Sequence, residues 1–131
     1  MEVYKTIGTD DTPAVIMDTV QGVFEISGRS LPEDVNKFYN PILDWLDLYF
    51  KTPNVKTVFC FKLTYFNTAS SKMLLDILMH LEEFKKKGKE ISVLWYYPED
   101  DDDMMEAGNE YAELVELPFE KIAYNLNKSD L

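Results

Sequence analysis

Between Val55 and Tyr97 the hydrophobic period changes from two residues to about 3.6 and back again. Val55 to Phe66 is rich in β-branched and aromatic residues, the composition of a strand. Leu74, Ile77, Leu78, Leu81 and Phe84 then recur at the spacing of one buried helix face. Glu90 to Tyr97 alternates once more, with Ile91, Val93, Trp95 and Tyr97 on one side. A strand, a helix of this length and a second strand predict a parallel pair joined by a right-handed crossover. The chain is therefore read as α/β, and the remaining elements must extend that sheet or cover it.

Upstream, Val3 to Ile7 predicts a short strand, Gly8 to Pro13 a turn and Ala14 to Met17 a second strand. Asp18 to Gly22 joins the latter tightly to Val23–Ser27, which predicts an antiparallel hairpin opening a mixed sheet. Ser30-Leu31-Pro32-Glu33 has the form of a capping box, with Ser30 expected to cap a helix and Glu33 to reach back to it. Val35, Phe38, Tyr39, Ile42, Trp45, Leu46, Tyr49 and Phe50 follow as its aromatic buried stripe, and Pro41 predicts a kink or break near residues 37–40. In the strand from Val55, the odd-numbered residues Val55, Thr57, Phe59, Phe61, Leu63 and Tyr65 form one face. Lys56, Val58, Cys60, Lys62, Thr64 and Phe66 form a mixed one, so the helices are expected mainly on one side of the sheet.

The following helix, from about Ser70, is expected to end at Lys85-Lys86-Lys87-Gly88, where cations meet the negative end of the helix dipole and Gly88 can adopt a left-handed conformation. Pro98 should stop the next strand. Glu99 to Asp103 leads into a third helix with Met104, Ala107, Tyr111, Leu114 and Val115 inside; Leu117-Pro118 breaks it and Phe119 to Tyr124 forms a last strand. No linker or internal repeat divides the 131 residues, which suffice for a single core.

The balance of 24 acidic against 13 basic residues, a net charge of -11, argues against nucleic acid or an anionic membrane surface as partner. Met1-Glu2 does not begin a secretion signal, no stretch approaches the ~20 apolar residues of a membrane span, and Cys60 is alone. A reducing cytoplasm is the expected location. No cofactor is called for.

Chemistry concentrates at the switch from strand to helix, Tyr65-Phe66-Asn67-Thr68-Ala69-Ser70-Ser71-Lys72. Asn67 or Thr68 can cap the helix, yet a cap needs one such side chain and four are packed into five positions. A helix start also offers unpaired N–H groups and a positive dipole end, which suit a phosphate either on a ligand or on a side chain. Rival sites are weaker. The acidic run 99–103 lacks the spacing of a calcium loop and suits a helix start. His80 has no second His or any nearby Cys with which to share a metal. No nucleophile elbow, Walker loop, zinc-protease or dinucleotide motif occurs, so the chain is read as not an enzyme.

Three motifs in order, Gly22-Val23-Phe24-Glu25-Ile26-Ser27-Gly28-Arg29-Ser30, Phe38-Tyr39-Asn40-Pro41-Ile42-Leu43-Asp44-Trp45-Leu46 and the turn from Tyr65 to Lys72, resemble the bacterial SiaC family of regulatory phosphoproteins, over about Thr6 to Tyr124. The resemblance implies a non-catalytic signalling domain, residues 1–124, with a fold similar to anti-sigma-factor antagonists of the STAS type, followed by a polar tail at 125–131 expected to fray. It implies that Thr68 is phosphorylated by a cognate Ser/Thr protein kinase and released by a PP2C-type phosphatase, with Asn67, Ser70, Ser71 and Lys72 as its surroundings. It further implies that the unmodified form regulates a partner, in some members a diguanylate cyclase, with an output such as biofilm or stress signalling. The residues themselves leave two other readings: a constitutive adaptor in which the cluster is only a cap, and a small enzyme binding a phosphate-bearing ligand at the same helix start.

Overall fold

The computed structural model describes residues 1–125. The tail expected to fray falls, apart from Asn125, outside the described residues. Nine elements follow one another: β1 (Tyr4–Thr6), β2 (Ala14–Asp18), β3 (Val23–Ser30), α1 (Val35–Tyr49), β4 (Thr57–Phe66), α2 (Thr68–Lys86), β5 (Ile91–Pro98), α3 (Asp102–Leu114) and β6 (Phe119–Tyr124). The strands lie side by side in chain order. β1 pairs with β2 and β2 with β3 in antiparallel fashion, whereas β3 through β6 are mutually parallel, each successive pair joined through a helix.

Alternation decides the layers. Val15, Met17, Phe24, Ile26, Phe59, Phe61, Leu63, Ile91, Val93 and Trp95 point to one face and are buried, in one cluster with the apolar stripes of α1, α2 and α3. All three helices therefore cover that face, as the mixed composition of the other predicted. The uncovered face carries half-buried Ile16, Glu25, Cys60, Lys62, Leu94 and Tyr96; Lys62 pairs with Glu25 at 3.0 Å and its ammonium lies 4.8 Å from the centre of the Tyr96 ring. The core is aromatic throughout, with Trp45 stacked on Tyr49 and Phe50 on Phe84 at one side, and Phe61, Phe66 and Tyr111 around Trp95 at the other. α3 approaches Trp95 so closely that a Cβ at Gly108 would lie 2.5 Å from the indole.

Several expectations need correction. Ser30 does not cap α1. It is the last residue of β3 and fully buried, and the cap is Asp34, whose carboxylate accepts from the Lys37 N–H at 3.1 Å. Pro41 does not break α1, which runs unbroken from Val35 to Tyr49. Pro41 and Lys37 are both exposed, while Tyr39, Ile42, Trp45 and Leu46 hold the helix from the buried side. Val55 precedes β4 and is 91% exposed. At the far end of β4 the register against β3 advances from Gly28–Leu63 to Arg29–Tyr65, leaving Thr64 as the extra residue of a bulge opposite Gly28, whose φ of 97° few other residues tolerate. The bulge reverses the alternation: Tyr65 turns outward, 45% exposed, and Phe66 turns in against Trp95 and Tyr111. Pro98 stops β5 only as its last paired residue, and Leu114, expected inside α3, is exposed.

Candidate functional site

The bulge delivers the chain to the start of α2. Asn67 is extended and closes the turn in two directions: its N–H donates to the Ser30 carbonyl at 3.0 Å, and its side-chain oxygen accepts from the Ser70 N–H at 2.9 Å. Asn67 rather than Thr68 is the cap, and the helix begins at Thr68, two residues before the predicted start. With the Ser70 N–H taken by Asn67 and the Ser71 N–H donating to the Asn67 carbonyl, the N–H groups of Thr68 and Ala69 are the donors that a helix start leaves without an intrahelical acceptor.

The three hydroxyls of the turn have different fates. Thr68 is exposed. Ser70 is 0% exposed, and its hydroxyl donates to the Ser30 carbonyl at 3.0 Å. Ser71 is half-buried and donates to the Thr68 carbonyl at 2.6 Å. Periodicity explains the split. Two residues, about 200° of helical rotation, carry Ser70 round to the face that also bears Met73, Leu74 and Ile77, leaving Thr68 and Lys72 toward solvent. A phosphate could not enter at Ser70 without displacing the core. At Thr68 it would meet the two unpaired N–H groups and the positive end of the helix.

Beneath the turn lies a chain of buried hydroxyls. Ser30 Oγ donates to Ser70 Oγ at 2.8 Å and is bonded on its other side to the phenol of Tyr39 from α1. Burial pushes the Tyr39 phenol up to about 12, against the opposing pull of the neighbouring Ser30 and Ser70 hydroxyls, so it remains a neutral donor at ordinary pH. From α3, the Tyr111 phenol donates to the Ser71 carbonyl at 2.8 Å; burial first, then the charges of Tyr39 and Glu110, raise its pKa as well. The first turn of α2 is thus held by β3, α1 and α3 together.

Around Thr68 the surface is uneven. Lys72, Phe66, Leu75, Glu110, Tyr111 and Leu114 line a cleft of about 250 Å³ between α2 and α3. On the sheet side, Arg29 lies over Tyr65 at 5.4 Å and its Nε donates to the Asp10 carbonyl. The acidic run is a helix start: Asp101 caps α3 by accepting from the Met104 N–H at 3.0 Å, and Asp102 and Asp103 occupy the first turn. Among the described residues no three His, Cys, Asp or Glu side chains converge on a metal-sized gap. His80 bonds the Asp76 carbonyl one turn back and faces Asp47 at 3.8 Å. No helix of the described residues is long and apolar enough to cross a membrane.

A family model described as the SiaC family regulatory phosphoprotein matches residues 6–124. The chain belongs to the SiaC family. A Pseudomonas aeruginosa (strain UCBPP-PA14) protein of unassigned role is 30% identical over 112 residues, which are 86% of this chain and 89% of that protein. Among solved structures, apo-SiaC from Pseudomonas aeruginosa superposes with a TM-score of 0.86 at 30% identity, covering 94% of this chain and 100% of that one. A second crystal structure holds the diguanylate cyclase SiaD of that organism in complex with its activator SiaC; its matching chain gives a TM-score of 0.87 at 29% identity, covering 92% and 99%. SiaC there is a regulatory partner of a diguanylate cyclase, and the six-stranded α/β fold described above is the SiaC fold.

The structure also joins what the sequence keeps apart. Ser30 ends the first of the three motifs, Tyr39 stands near the start of the second and Ser70 lies in the third, and the three meet in one hydrogen-bonded chain. Of this set, sequence reasoning places only Ser70 at the site. Ser30 reads locally as a helix cap and Tyr39 as part of a hydrophobic stripe, and nothing local assigns Tyr111 or Arg29 to the turn. Two phenols on otherwise apolar stripes are the available signal, since a buried Tyr hydroxyl needs a partner.

Proposed function

We propose that this chain is a non-catalytic signalling protein of the bacterial cytoplasm, switched by reversible phosphorylation of Thr68, whose unphosphorylated form binds and regulates a diguanylate cyclase. A cognate Ser/Thr kinase transfers the γ-phosphoryl group of ATP to Thr68 Oγ1; the hydroxyl proton is lost and ADP leaves. A PP2C-type phosphatase restores the hydroxyl by directing water onto phosphorus, with release of inorganic phosphate. The added charge of about -1.5 to -2 sits where two free N–H groups and the helix dipole receive it, so the fold tolerates it. A partner surface that desolvates neutral Thr68 would have to bury that charge instead, which disfavours the complex without any large rearrangement.

The observation that carries this reading is the separation of the three hydroxyls: Thr68 faces solvent, Ser70 is sealed in the core and Ser71 is engaged with the backbone. The SiaC–SiaD complex supports the choice of a diguanylate cyclase as partner. Intact-mass spectrometry after incubation with the cognate kinase and ATP should show a single phosphate on the wild type and none on Thr68→Ala. A phosphate that persists on Thr68→Ala would remove the assignment. A Thr68→Asp variant that binds the cyclase as tightly as wild type would instead favour a constitutive adaptor.

A further inference from the structure

We propose that Tyr39, Ser30 and Ser70 are positioning residues for the reaction at Thr68: their hydroxyl chain locks the first turn of α2 in the one orientation a modifying enzyme can use. The inference rests on the reading of Thr68 as the modified residue and adds what makes that residue a good acceptor.

The direction of the chain is forced. Ser70 Oγ spends its one proton on the Ser30 carbonyl, and Ser30 Oγ spends its own on Ser70 Oγ, so the bond between Ser30 and Tyr39 must be donated by the phenol. Each of the three hydroxyls donates once, and all three residues are 0% exposed. A rotation or shift of the turn would leave at least one of these donors buried and unpaired, at the full cost of its desolvation. The Ser30 carbonyl also accepts from the Asn67 N–H. Thr68 therefore stands between two anchored residues, Asn67 and Ser70, and only its side chain is free to move. Phosphoryl transfer needs donor and acceptor aligned within about 3–3.5 Å, and small misplacements of the acceptor are costly.

The other end of α1 provides the matched control. Tyr49, also fully buried, bonds Thr57 Oγ1 at 2.8 Å and accepts from the Asn54 N–H, a phenol of the same kind on the same helix that holds no part of the α2 turn. The test measures steady-state phosphorylation of the full chain by its cognate kinase for wild type, Tyr39→Phe, Ser70→Ala and Tyr49→Phe, with Tm and amide hydrogen exchange for each. Tyr39→Phe and Ser70→Ala should lower kcat/KM for the protein substrate about fivefold to tenfold, the scale set by loss of one buried hydrogen bond. Exchange at the Asn67, Ser70 and Ser71 amides should quicken in both. Tyr49→Phe should lower Tm comparably while leaving kcat/KM and those amides unchanged. If Ser70→Ala fails to fold, Tyr39→Phe, which deletes one oxygen and keeps the ring, decides alone. Phosphorylation rates that follow Tm across all variants overturn the positioning role and leave Thr68 as the acceptor. A wild type that takes up no phosphate overturns both.

Discussion

The two ends of α1 use the same chemistry for different ends. At its C-terminal end Tyr49 meets Thr57, the first residue of β4, and accepts from the N–H of Asn54, whose side chain in turn donates to the Thr19 carbonyl. Near its N-terminal end Tyr39 meets Ser30 and, through it, Ser70, and this chain finishes two residues from an exposed threonine. A buried phenol paired with a hydroxyl satisfies the core in both places. Only at the start of α2 does the pairing also lie beneath an exposed hydroxyl, that of Thr68, so the lesson lies in what the network is attached to.

The largest effect expected from breaking that contrast is on binding. Thr68→Asp should weaken the complex with the proposed diguanylate cyclase partner by more than about 300-fold, because a charge is then desolvated at the proposed contact. Thr57→Ser, at the other end, should leave the affinity within about twofold, the scatter expected when no contact is lost. Isothermal titration calorimetry of both variants checks the pair.

The alkaline limb of stability comes next. The Tyr39 phenol titrates near 12 in the fold against an ordinary tyrosine value of 10.0, so its contribution is intact below pH 10 and lost as pH rises toward 12. The difference amounts to about 3 kcal/mol, and Tyr39→Phe should flatten the fall in denaturation midpoint across that window. Ser30→Ala should cost about 2–3 kcal/mol, since it removes the hub of the chain and strands the Tyr39 phenol. Thr57→Val deletes only one bond of the distal pair and should cost about 1–2 kcal/mol; urea unfolding of both variants ranks the two ends directly. The smallest effect is at the cap. Asn67→Ala should cost about 1 kcal/mol, and equilibrium unfolding that shows no loss would mean that Asn67 does not carry the helix start.

Much of the architecture is legible in the sequence because local periodicity and packing agree. The hairpin, the crossover through α2, the end of α2 at Gly88 with its φ of 95° and the last strand Phe119–Tyr124 all stand where the pattern places them. Ser30 shows why the rest is not. Ser-x-x-Glu is a sound local signal for a cap, and Asp34, which caps in its place, is an equally ordinary one; what decides is a partner 40 residues away. Of the kink or break that Pro41 predicts, the break is absent for a related reason: the buried residues on either side hold α1 continuous across it. The bulge at Thr64 has no local signature beyond Gly28 on the neighbouring strand, yet it sends Phe66 inward and Tyr65 out.

Read alone, the residues establish that this chain is α/β, that helices lie mainly on one face of its sheet, and that a strand gives way to a helix at a turn, capped by Asn67 or Thr68, that is crowded with hydroxyls. Those are properties of period, composition and capping, each set within a few residues. Which hydroxyl faces solvent and which are sealed follows instead from packing between distant segments. That choice depends on where a bulged strand enters the sheet, which face of α2 meets the core, and how residues from three separate motifs satisfy one another's hydrogen bonds once water is excluded.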